Sequence, residues 1–396
     1  RINKKILASS LILVVLAAVF YDRRREIKDR NNRRPATWAI ALLVCSYLLL
    51  IPALFATLFN MTIGAVDTLV LKQISESTVS FIRLLEETGG WTGAVLVAIF
   101  AMVVPLVKIF LLILAECWRF SQDRRRIVAA RMCIRFVQCI SKWACPDLIA
   151  YIFLFYLVRH LNQPPVNGLF SLDVGFTCYA FFCWGSTISS LGVHLPALEE
   201  QDVKSEPKEP LALRVFGRNG IAVLMLFIQV AFVVCFVLGM LWACLGIRLD
   251  ASILKNNGLP QWQIDAMISL GVVENAKADV TIFECINLLV KMQAEFFDAN
   301  AILSIIMLVV FVLGLTLLDM LVLAVAALQL LRPKEDQSCA LINLTKHLKK
   351  LAMLDVLILG ILVMVISGSV YRDEGLVLKP ERGLLALAGA FVEIDS

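Results

Sequence analysis

Long apolar runs separated by short polar stretches dominate the pattern of the chain. Nine such runs can be drawn, at residues 6–20, 37–60, 92–116, 144–162, 171–193, 219–246, 301–330, 351–370 and 383–394. A helix needs about 20 apolar residues to cross a bilayer, and most of the runs reach that length. Because the runs are continuous, unlike the alternating pattern of β-barrel strands, they predict an all-α, polytopic membrane protein. The composition agrees, with 60% hydrophobic residues and a mean hydropathy of +0.82.

Lysine and arginine are concentrated on one side of the predicted topology. The loops 21–36, 117–143, 194–218 and 331–350 carry 23 of the 37 Lys and Arg residues, and the opposite loops carry eight. The positive-inside rule therefore predicts that the basic loops are cytoplasmic. We expect an integral protein of a plasma membrane or a bacterial inner membrane, whose native chain extends beyond both ends of this sequence.

A short motif occurs twice, 208 positions apart, each time at the start of an apolar run. The copies share Lys142, Ala144 and Asp147 in the first and Lys350, Ala352 and Asp355 in the second. A polar motif that recurs at the start of a membrane span indicates a duplicated module. We predict an N-terminal hydrophobic helix with a basic loop (1–36), a four-helix membrane module (37–193), a charged cytoplasmic linker (194–218) and a second four-helix module (219–396) with an enlarged extracytoplasmic segment, 247–300.

Four ionisable residues on the spans are candidates for a polar core or a proton relay. They are Lys108, Asp147, Asp319 and Asp355. Charge inside a membrane is costly, so such residues usually face a bundle interior. Each also has a structural interpretation. Lys108 can snorkel to the surface, and Asp319 can be a solvated or hydrogen-bonded helix residue. Asp147 and Asp355 can cap the first turns of their helices.

Other features of the spans and loops predict packing and lipid contact. Pro105, three residues before Lys108, predicts a helix kink. The small and hydroxyl-bearing residues of Trp184–Ser190 favour close helix approach or, alternatively, a hydrophilic groove. Two arginine triplets are predicted to set the topology and to contact anionic lipid headgroups. The triplets are Arg23, Arg24 and Arg25, and Arg124, Arg125 and Arg126.

An amphipathic helix is predicted before the second span of the first module. Leu71, Ile74, Phe81 and Leu85 recur at spacings of three, seven and four, which suits a helix lying on the membrane face or the bundle.

Catalytic and metal-binding signatures are lacking in the sequence. There are three histidines without an HExxH pattern, and the 11 cysteines include no CxxC pair. Neither a GxSxG elbow nor a phosphate-binding GxxxxGK[ST] loop occurs. The basic loops also lack the context of a nucleic-acid site. We predict a protein that is not an enzyme and that uses no metal and no cofactor.

Several of these segments together resemble the paraquat-inducible protein A family. The resemblance rests on Thr78–Leu85, on Val104–Lys108, on the start of a helix at Lys142–Asp147 and, in the second copy, on Ala352–Val356. It covers roughly residues 37–396. Three features depart from the family pattern: the chain has no cysteine-rich zinc ribbon, Leu313 or Gly314 stands where the second copy should carry the proline, and the segment 247–300 is unusually long.

The resemblance implies a fold and a function. Members of that family are four-helix membrane modules, usually in tandem, thought to work with mammalian-cell-entry (MCE) domain proteins that carry phospholipid between membranes. It therefore implies a lipid-transport component with an MCE-type or other membrane-complex partner, and Lys108, Asp147 and Asp355 as polar-core residues. The alternative is a non-transporting, tetraspan-like subunit of a larger complex. An ion-coupled solute transporter is disfavoured because the repeats run parallel and no pair of broken helices is evident.

Overall fold

A computed structural model gives the fold of most of the chain. It describes residues 14–22, 36–65, 69–160, 166–196, 211–249, 261–262, 265, 269, 278–296, 298–330, 338–368 and 376–395. Residues 14–22 are helical, so the predicted run 6–20 is described only in part. Arg23, Arg24 and Arg25 lie outside the described residues, and their predicted lipid contact stays a prediction.

Residues 36–196, called the first unit, alternate between membrane-length helices and short extramembrane elements. In chain order they are α1 (Thr37–Phe55), β1 (Thr57–Ala65), β2 (Leu69–Ser77), α2 (Thr78–Glu87), α3 (Trp91–Trp118), α4 (Arg124–Ile140), α5 (Pro146–His160), β3 (Val166–Leu172) and α6 (Val174–Gly192). A short 3₁₀ helix, Ser141–Ala144, joins α4 to α5.

Residues 211–395, called the second unit, contain the same kinds of element in the same order. They are α7 (Leu211–Leu241), β4 (Leu245–Leu249), β5 (Ala278–Val280), α8 (Ile282–Phe296), α9 (Ala299–Ile305 continuing to Leu315–Leu330), α10 (Ser338–Leu351), α11 (Leu354–Ser367), β6 (Leu376–Pro380) and α12 (Arg382–Asp395). Helix α7 begins inside the predicted linker 194–218. It also ends before residue 246, because the end of that apolar run forms β4.

The described chain contains six helical stretches that are long and apolar enough to cross a membrane. They are Thr37–Phe55, Trp91–Trp118, Arg124–Arg159, Val223–Leu241, Ala299–Gln329 and Leu344–Ser367. The predicted class, a polytopic helical membrane protein, is confirmed. Helices α6 and α12 were also predicted as spans but are not among the six. The serines and threonine near the end of α6 lower its hydropathy, and α12 contributes a shorter apolar stretch, Arg382–Val392.

Each unit carries a small antiparallel sheet that the apolar pattern did not predict. The first has the strand order β2-β1-β3, with Thr57 opposite Ser77 and Phe59 opposite Leu172. The second has the order β5-β4-β6, with Leu245 opposite both Val280 and Pro380. The central strand of each sheet directly follows the first long helix of its unit, so the sheet lies at the end of the helix bundle.

The prediction of one amphipathic helix that carries Leu71, Ile74, Phe81 and Leu85 is therefore wrong for its first half. Leu71 and Ile74 lie in β2, and the helix begins at Thr78. It begins there because Ser77 and Ser80 form a reciprocal capping box: the Ser80 amide donates to Ser77 Oγ at 3.2 Å, and the Ser77 amide donates to Ser80 Oγ at 2.8 Å. Phe81 and Leu85 face the core from α2, as the pattern predicted.

Both α3 and α9 contain a π-helical segment at a corresponding position. The segments are Ile99–Val103, just before Pro105, and Ile306–Gly314, where proline is absent. A wide turn leaves carbonyl groups free for partners outside the helix. Within the second segment the Phe311 carbonyl accepts a hydrogen bond from the Met353 amide at 3.1 Å. Two residues after the first segment, the Pro105 carbonyl accepts one from Tyr47 Oη at 2.7 Å. Proline is therefore not required for this irregularity.

Two equivalent glycines bring the first turn of a helix into direct contact with the backbone that joins the first long helix of the unit to its central strand. A Cβ on Gly175, at the start of α6, would lie 2.7 Å from the carbonyl oxygens of Ala56 and Thr57. A Cβ on Gly383, at the start of α12, would lie 2.5 Å from the Trp242 oxygen and 2.7 Å from the Ala243 oxygen. Only glycine fits at such a distance.

The two units share one continuous hydrophobic core. Its centre is α5, where Leu148, Ile149, Ile152 and Phe153 are fully or almost fully buried, and α5 packs against α11 of the second unit. Gly360 on α11 allows this approach, because a Cβ there would lie 2.7 Å from the Pro146 oxygen. The start of α5, which carries Asp147, is therefore enclosed by protein rather than lipid.

Candidate functional site

Lys108 lies on α3 and is completely buried, so its amine does not snorkel to the surface. Its Nζ donates to Ser141 Oγ at 2.5 Å and to the Ser186 carbonyl at 2.6 Å. Ser141 comes from the 3₁₀ turn before α5, and Ser186 comes from α6. The lysine thus links three elements of the first unit at one point.

The hydroxyl-rich end of α6 supplies the rest of this network. Ser141 Oγ donates to Ser190 Oγ at 3.3 Å, and Thr187 Oγ1 donates to the Ser141 carbonyl at 3.3 Å. Gln138 Nε2 on α4 donates to the Ser190 carbonyl at 3.3 Å. The set is called the Lys108 cluster. It comprises Lys108, Gln138, Ser141, Ser186, Thr187 and Ser190, all of them buried. Of the two interpretations of the Trp184–Ser190 stretch, the geometry fits hydrogen bonding between closely packed helices.

Asp147 lies in the first turn of α5 and is 1% exposed. Its Oδ2 is 3.5 Å from Tyr179 Oη on α6, and that hydroxyl donates to the Ala144 carbonyl at 2.9 Å. Its Oδ1 has no hydrogen-bond partner among the described residues, so that oxygen caps no backbone amide. A carboxylate in this position is a costly group whose second oxygen is available to accept or hold a proton.

Lys108 and Asp147 lie in one buried region without forming a direct ion pair in the described structure. The thiol of Cys183 is close enough to interact electrostatically with both, and Cys145 lies beside Cys183 and Lys108. Cys183 Sγ is 3.2 Å from the Ala144 carbonyl. The structure therefore brings the two predicted residues into one buried polar region of the first unit, which also contains the buried thiols of Cys145 and Cys183.

Asp355 has different surroundings although its motif repeats that of Asp147. Its Oδ2 is 2.8 Å from Lys142 Nζ of the first unit and accepts a hydrogen bond from Trp143 Nε1 at 3.3 Å. Lys350 of the second copy donates to Gln138 Oε1 at 2.7 Å. The two copies of the repeated motif therefore face each other across the boundary between the units.

Asp319 also belongs to this boundary rather than to a second version of the Lys108 cluster. It is 4% exposed, Lys349 and Lys142 are close enough to interact with it electrostatically, and its Oδ1 has no hydrogen-bond partner among the described residues. The position 208 residues after Lys108 is the buried Thr316. Lys142, Trp143, Asp319, Lys349, Lys350 and Asp355 are called the interunit cluster.

Comparison with known protein families gives one result, and it concerns the first unit. Residues 36–190 match the family model of paraquat-inducible protein A. The match confirms the predicted family for this part of the chain, and its range includes Lys108, Asp147, Ser141 and Ser186. No curated protein and no solved structure matches the chain significantly.

The paraquat-inducible protein A match therefore contains the whole Lys108 cluster but only Lys142 and Trp143 of the interunit cluster. Sequence reasoning missed Ser141, Tyr179 and Gln138, because each finds its partner through tertiary packing. A signal existed for Ser186 and Ser190, since both lie in the hydroxyl-rich stretch.

The predicted lipid-contacting residues Arg124, Arg125 and Arg126 form the first turn of α4 and are exposed. Asp123 caps this helix, because its Oδ1 accepts a hydrogen bond from the Arg125 amide at 3.0 Å.

Replacing Lys108 with methionine is expected to leave the protein folded and as stable as the wild type, to within about 1 kcal/mol. Methionine nearly matches the volume of lysine and removes a buried charge. The carbonyl of Ser186 keeps Ser190 Oγ as a donor at 2.5 Å. Lys108→Ala is expected to cost about 2–5 kcal/mol because it leaves a cavity. Thermal unfolding in detergent measures both variants, and equal losses would contradict this account.

Proposed function

We propose that the chain is an integral membrane component of phospholipid transport between membranes and that it works with a partner protein. The family match of residues 36–190 carries the proposal. An MCE-type protein or another membrane-complex subunit is the proposed partner, and the sheets at the end of each bundle are the proposed contact. The basic loops face the cytoplasm in this proposal, which places the sheets on the opposite side.

We also propose that the chain is a tandem pair of four-helix modules, 37–193 and 219–396. The support is the identical order of helices and strands in the two units and the matching strand orders of the two sheets. Equivalent glycines at the start of α6 and α12 add a third, independent correspondence. Asymmetry between the units is functional in this proposal, since only the first contains the buried Lys108 and Asp147.

The buried polar region around Lys108 and Asp147 supports a role in transport because hydrogen bonding between helices accounts for only part of it. Lys108 has no carboxylate partner in the described structure, and Asp147 keeps one oxygen unpaired. Buried charge of this kind marks functional sites in membranes more often than structural ones. We propose that a change in the protonation of Lys108 or Asp147 changes the packing of α3 and α5 against α6 during transport.

The test is transfer of a fluorescent phospholipid from proteoliposomes containing the full chain, with its partner, to acceptor vesicles. Lys108→Met and Asp147→Asn are expected to lower the rate at least about tenfold, since a hydrogen bond to a charged group is worth about 1.5–3 kcal/mol. Gly389→Ala serves as the matched control, because a Cβ there meets its nearest neighbour at 3.9 Å. Unchanged rates in folded Lys108→Met and Asp147→Asn would show that these two residues take no part in transport.

One observation favours the alternative of a non-transporting subunit. Asp355, predicted as a polar-core residue, is held in an ion pair between the units, which is a structural role. If that role applies to the whole polar core, the wild-type protein transfers no lipid and purifies as part of a larger complex. Measured transfer by the wild type would exclude this alternative.

A further inference from the structure

Helix α4 has one buried face and one exposed apolar face. Ala130, Ile134 and Val137 are completely buried and pack against the ends of α3 and α6. On the opposite side Val128, Met132 and Phe136 are 40%, 66% and 53% exposed. Their spacing of four residues aligns them along one side of a helix with about 3.6 residues per turn. A helix connecting two spans therefore presents an apolar stripe that no described part of the chain covers.

Arginines border this stripe. Helix α4 carries five arginines, at 124, 125, 126, 131 and 135, and no acidic residue. Arg124, Arg125 and Arg135 are exposed and lie on the same half of the helix as the stripe. The ion pair described for this helix joins Arg126 to Asp123 at 3.9 Å, with both side chains more than half exposed. The exposed side is thus apolar along its middle and strongly cationic along its edge.

The position of α4 in the chain places it at the membrane boundary. The span before α4 ends at Trp118. Helix α4 is the arginine-rich first part of the candidate span Arg124–Arg159, and a 3₁₀ turn separates it from the apolar helix α5. Exposed aromatic residues stand beside both ends of the helix, Phe120 at 63% and Trp143 at 45% exposure. Aromatic rings at this depth are typical of the headgroup region.

We propose that α4 lies in the headgroup region of the leaflet on the basic side and binds anionic phospholipid. Val128, Met132 and Phe136 insert among the upper acyl chains, and Arg124, Arg125 and Arg135 bind the phosphate groups of neighbouring lipids. Helices with an apolar stripe edged by arginine bind membrane surfaces in this way, and anionic lipid strengthens the binding. The interaction does not depend on the proposed role in lipid transport. The surface of the second unit differs, since α10 carries lysines in its last turn in place of the arginine set.

The test uses the full-length protein in nanodiscs of equal parts phosphatidylcholine and phosphatidylglycerol, with retained lipids counted by native mass spectrometry. Neutralising the helix with Arg124→Gln, Arg125→Gln and Arg135→Gln is expected to lower the ratio of retained phosphatidylglycerol to phosphatidylcholine about fivefold or more. The matched control removes three exposed charges from the sheet side of the units, with Arg83→Gln, Lys291→Gln and Lys379→Gln. Its ratio is expected to equal that of the wild type.

A second measurement locates the stripe without changing any charge. Phe136 is replaced by photoreactive benzoylphenylalanine, and irradiation in the same nanodiscs is expected to add the mass of one phospholipid to the intact protein. Two results would overturn the proposal: equal loss of phosphatidylglycerol in the arginine and control variants, or absence of a lipid adduct at Phe136. Cross-linking of Phe136 to a protein in native membranes would also overturn it, by showing a protein partner on this face.

Discussion

Alanine in place of Gly175 is expected to destabilise the protein by about 3 kcal/mol, which is large for the addition of one methyl group. The new Cβ would lie 2.7 Å from two backbone oxygens, those of Ala56 and Thr57. Neither backbone can move easily. The Ala56 amide donates to the Pro52 carbonyl at 2.8 Å, and the Asp173 amide donates to the Leu58 carbonyl at 3.0 Å. The whole of α6 must shift to relieve the contact.

Gly383→Ala tests whether the second unit has the same close contact between a glycine and two backbone carbonyl oxygens. A Cβ there would lie 2.5 Å and 2.7 Å from two carbonyl oxygens, so a comparable loss is expected. Gly389→Ala, in the same helix, is expected to be neutral or slightly stabilising, because alanine favours helix by about 0.5–1 kcal/mol over glycine. Thermal unfolding of the three variants in detergent measures the effects. Similar stability of Gly175→Ala and Gly389→Ala would show that the backbones are not in contact.

Removing one partner of the Lys142–Asp355 pair is expected to cost more than removing both. The Lys142 side chain is 13% exposed, and its ammonium also donates to the carbonyls of Lys349 and Ala352 at 3.5 and 3.3 Å, so Asp355→Leu leaves a largely buried charge without its carboxylate partner. We expect a loss of about 2–3 kcal/mol, below the 3–5 kcal/mol of a fully buried pair because some solvent and Asp319 remain near Lys142. The double variant Lys142→Met with Asp355→Leu is expected to recover most of that loss.

Unfolding midpoints of the two single variants, the double variant and the wild type form the double-mutant cycle. Arg126→Gln is the control, because its pair with Asp123 spans 3.9 Å with side chains 63% and 54% exposed. Such exposed pairs contribute about 0–1 kcal/mol. Additive losses in the double variant would show that Lys142 and Asp355 stabilise the boundary independently, and that the repeated motif does not hold the units together as a pair.

Local sequence signals located the helices well and the strands poorly. Continuous apolar runs identified α1, α3, α5, α9 and α11, because a membrane span must satisfy its backbone hydrogen bonds internally and so shows in composition alone. The sheets were missed because their central strands, β1 and β4, directly continue the apolar runs of α1 and α7, so hydrophobicity alone does not show where each helix ends. The starts of α2 and α8 could have been predicted from capping boxes, which are formed by Ser77 with Ser80 and by Thr281 with Glu284.

The repeated motif shows how similar local sequences acquire different surroundings. Asp147 and Asp355 occupy equivalent positions, yet Asp147 is buried beside Tyr179, whereas Asp355 forms an ion pair with Lys142 of the first unit. Spacing along the chain cannot distinguish these two environments. The difference comes from which helices cover each carboxylate, and those helices are distant in sequence.

By itself the sequence determined that this is a helical membrane protein, roughly where its spans run, and that a polar motif recurs 208 positions apart. These properties follow from hydrophobicity and length, which the bilayer imposes on each segment separately. Only the tertiary structure decided that Lys108 is buried against Ser141 and Ser186, and that the interunit cluster joins both motif copies. Burial and hydrogen-bond partners depend on contacts between segments far apart in the chain, and a local pattern does not contain them.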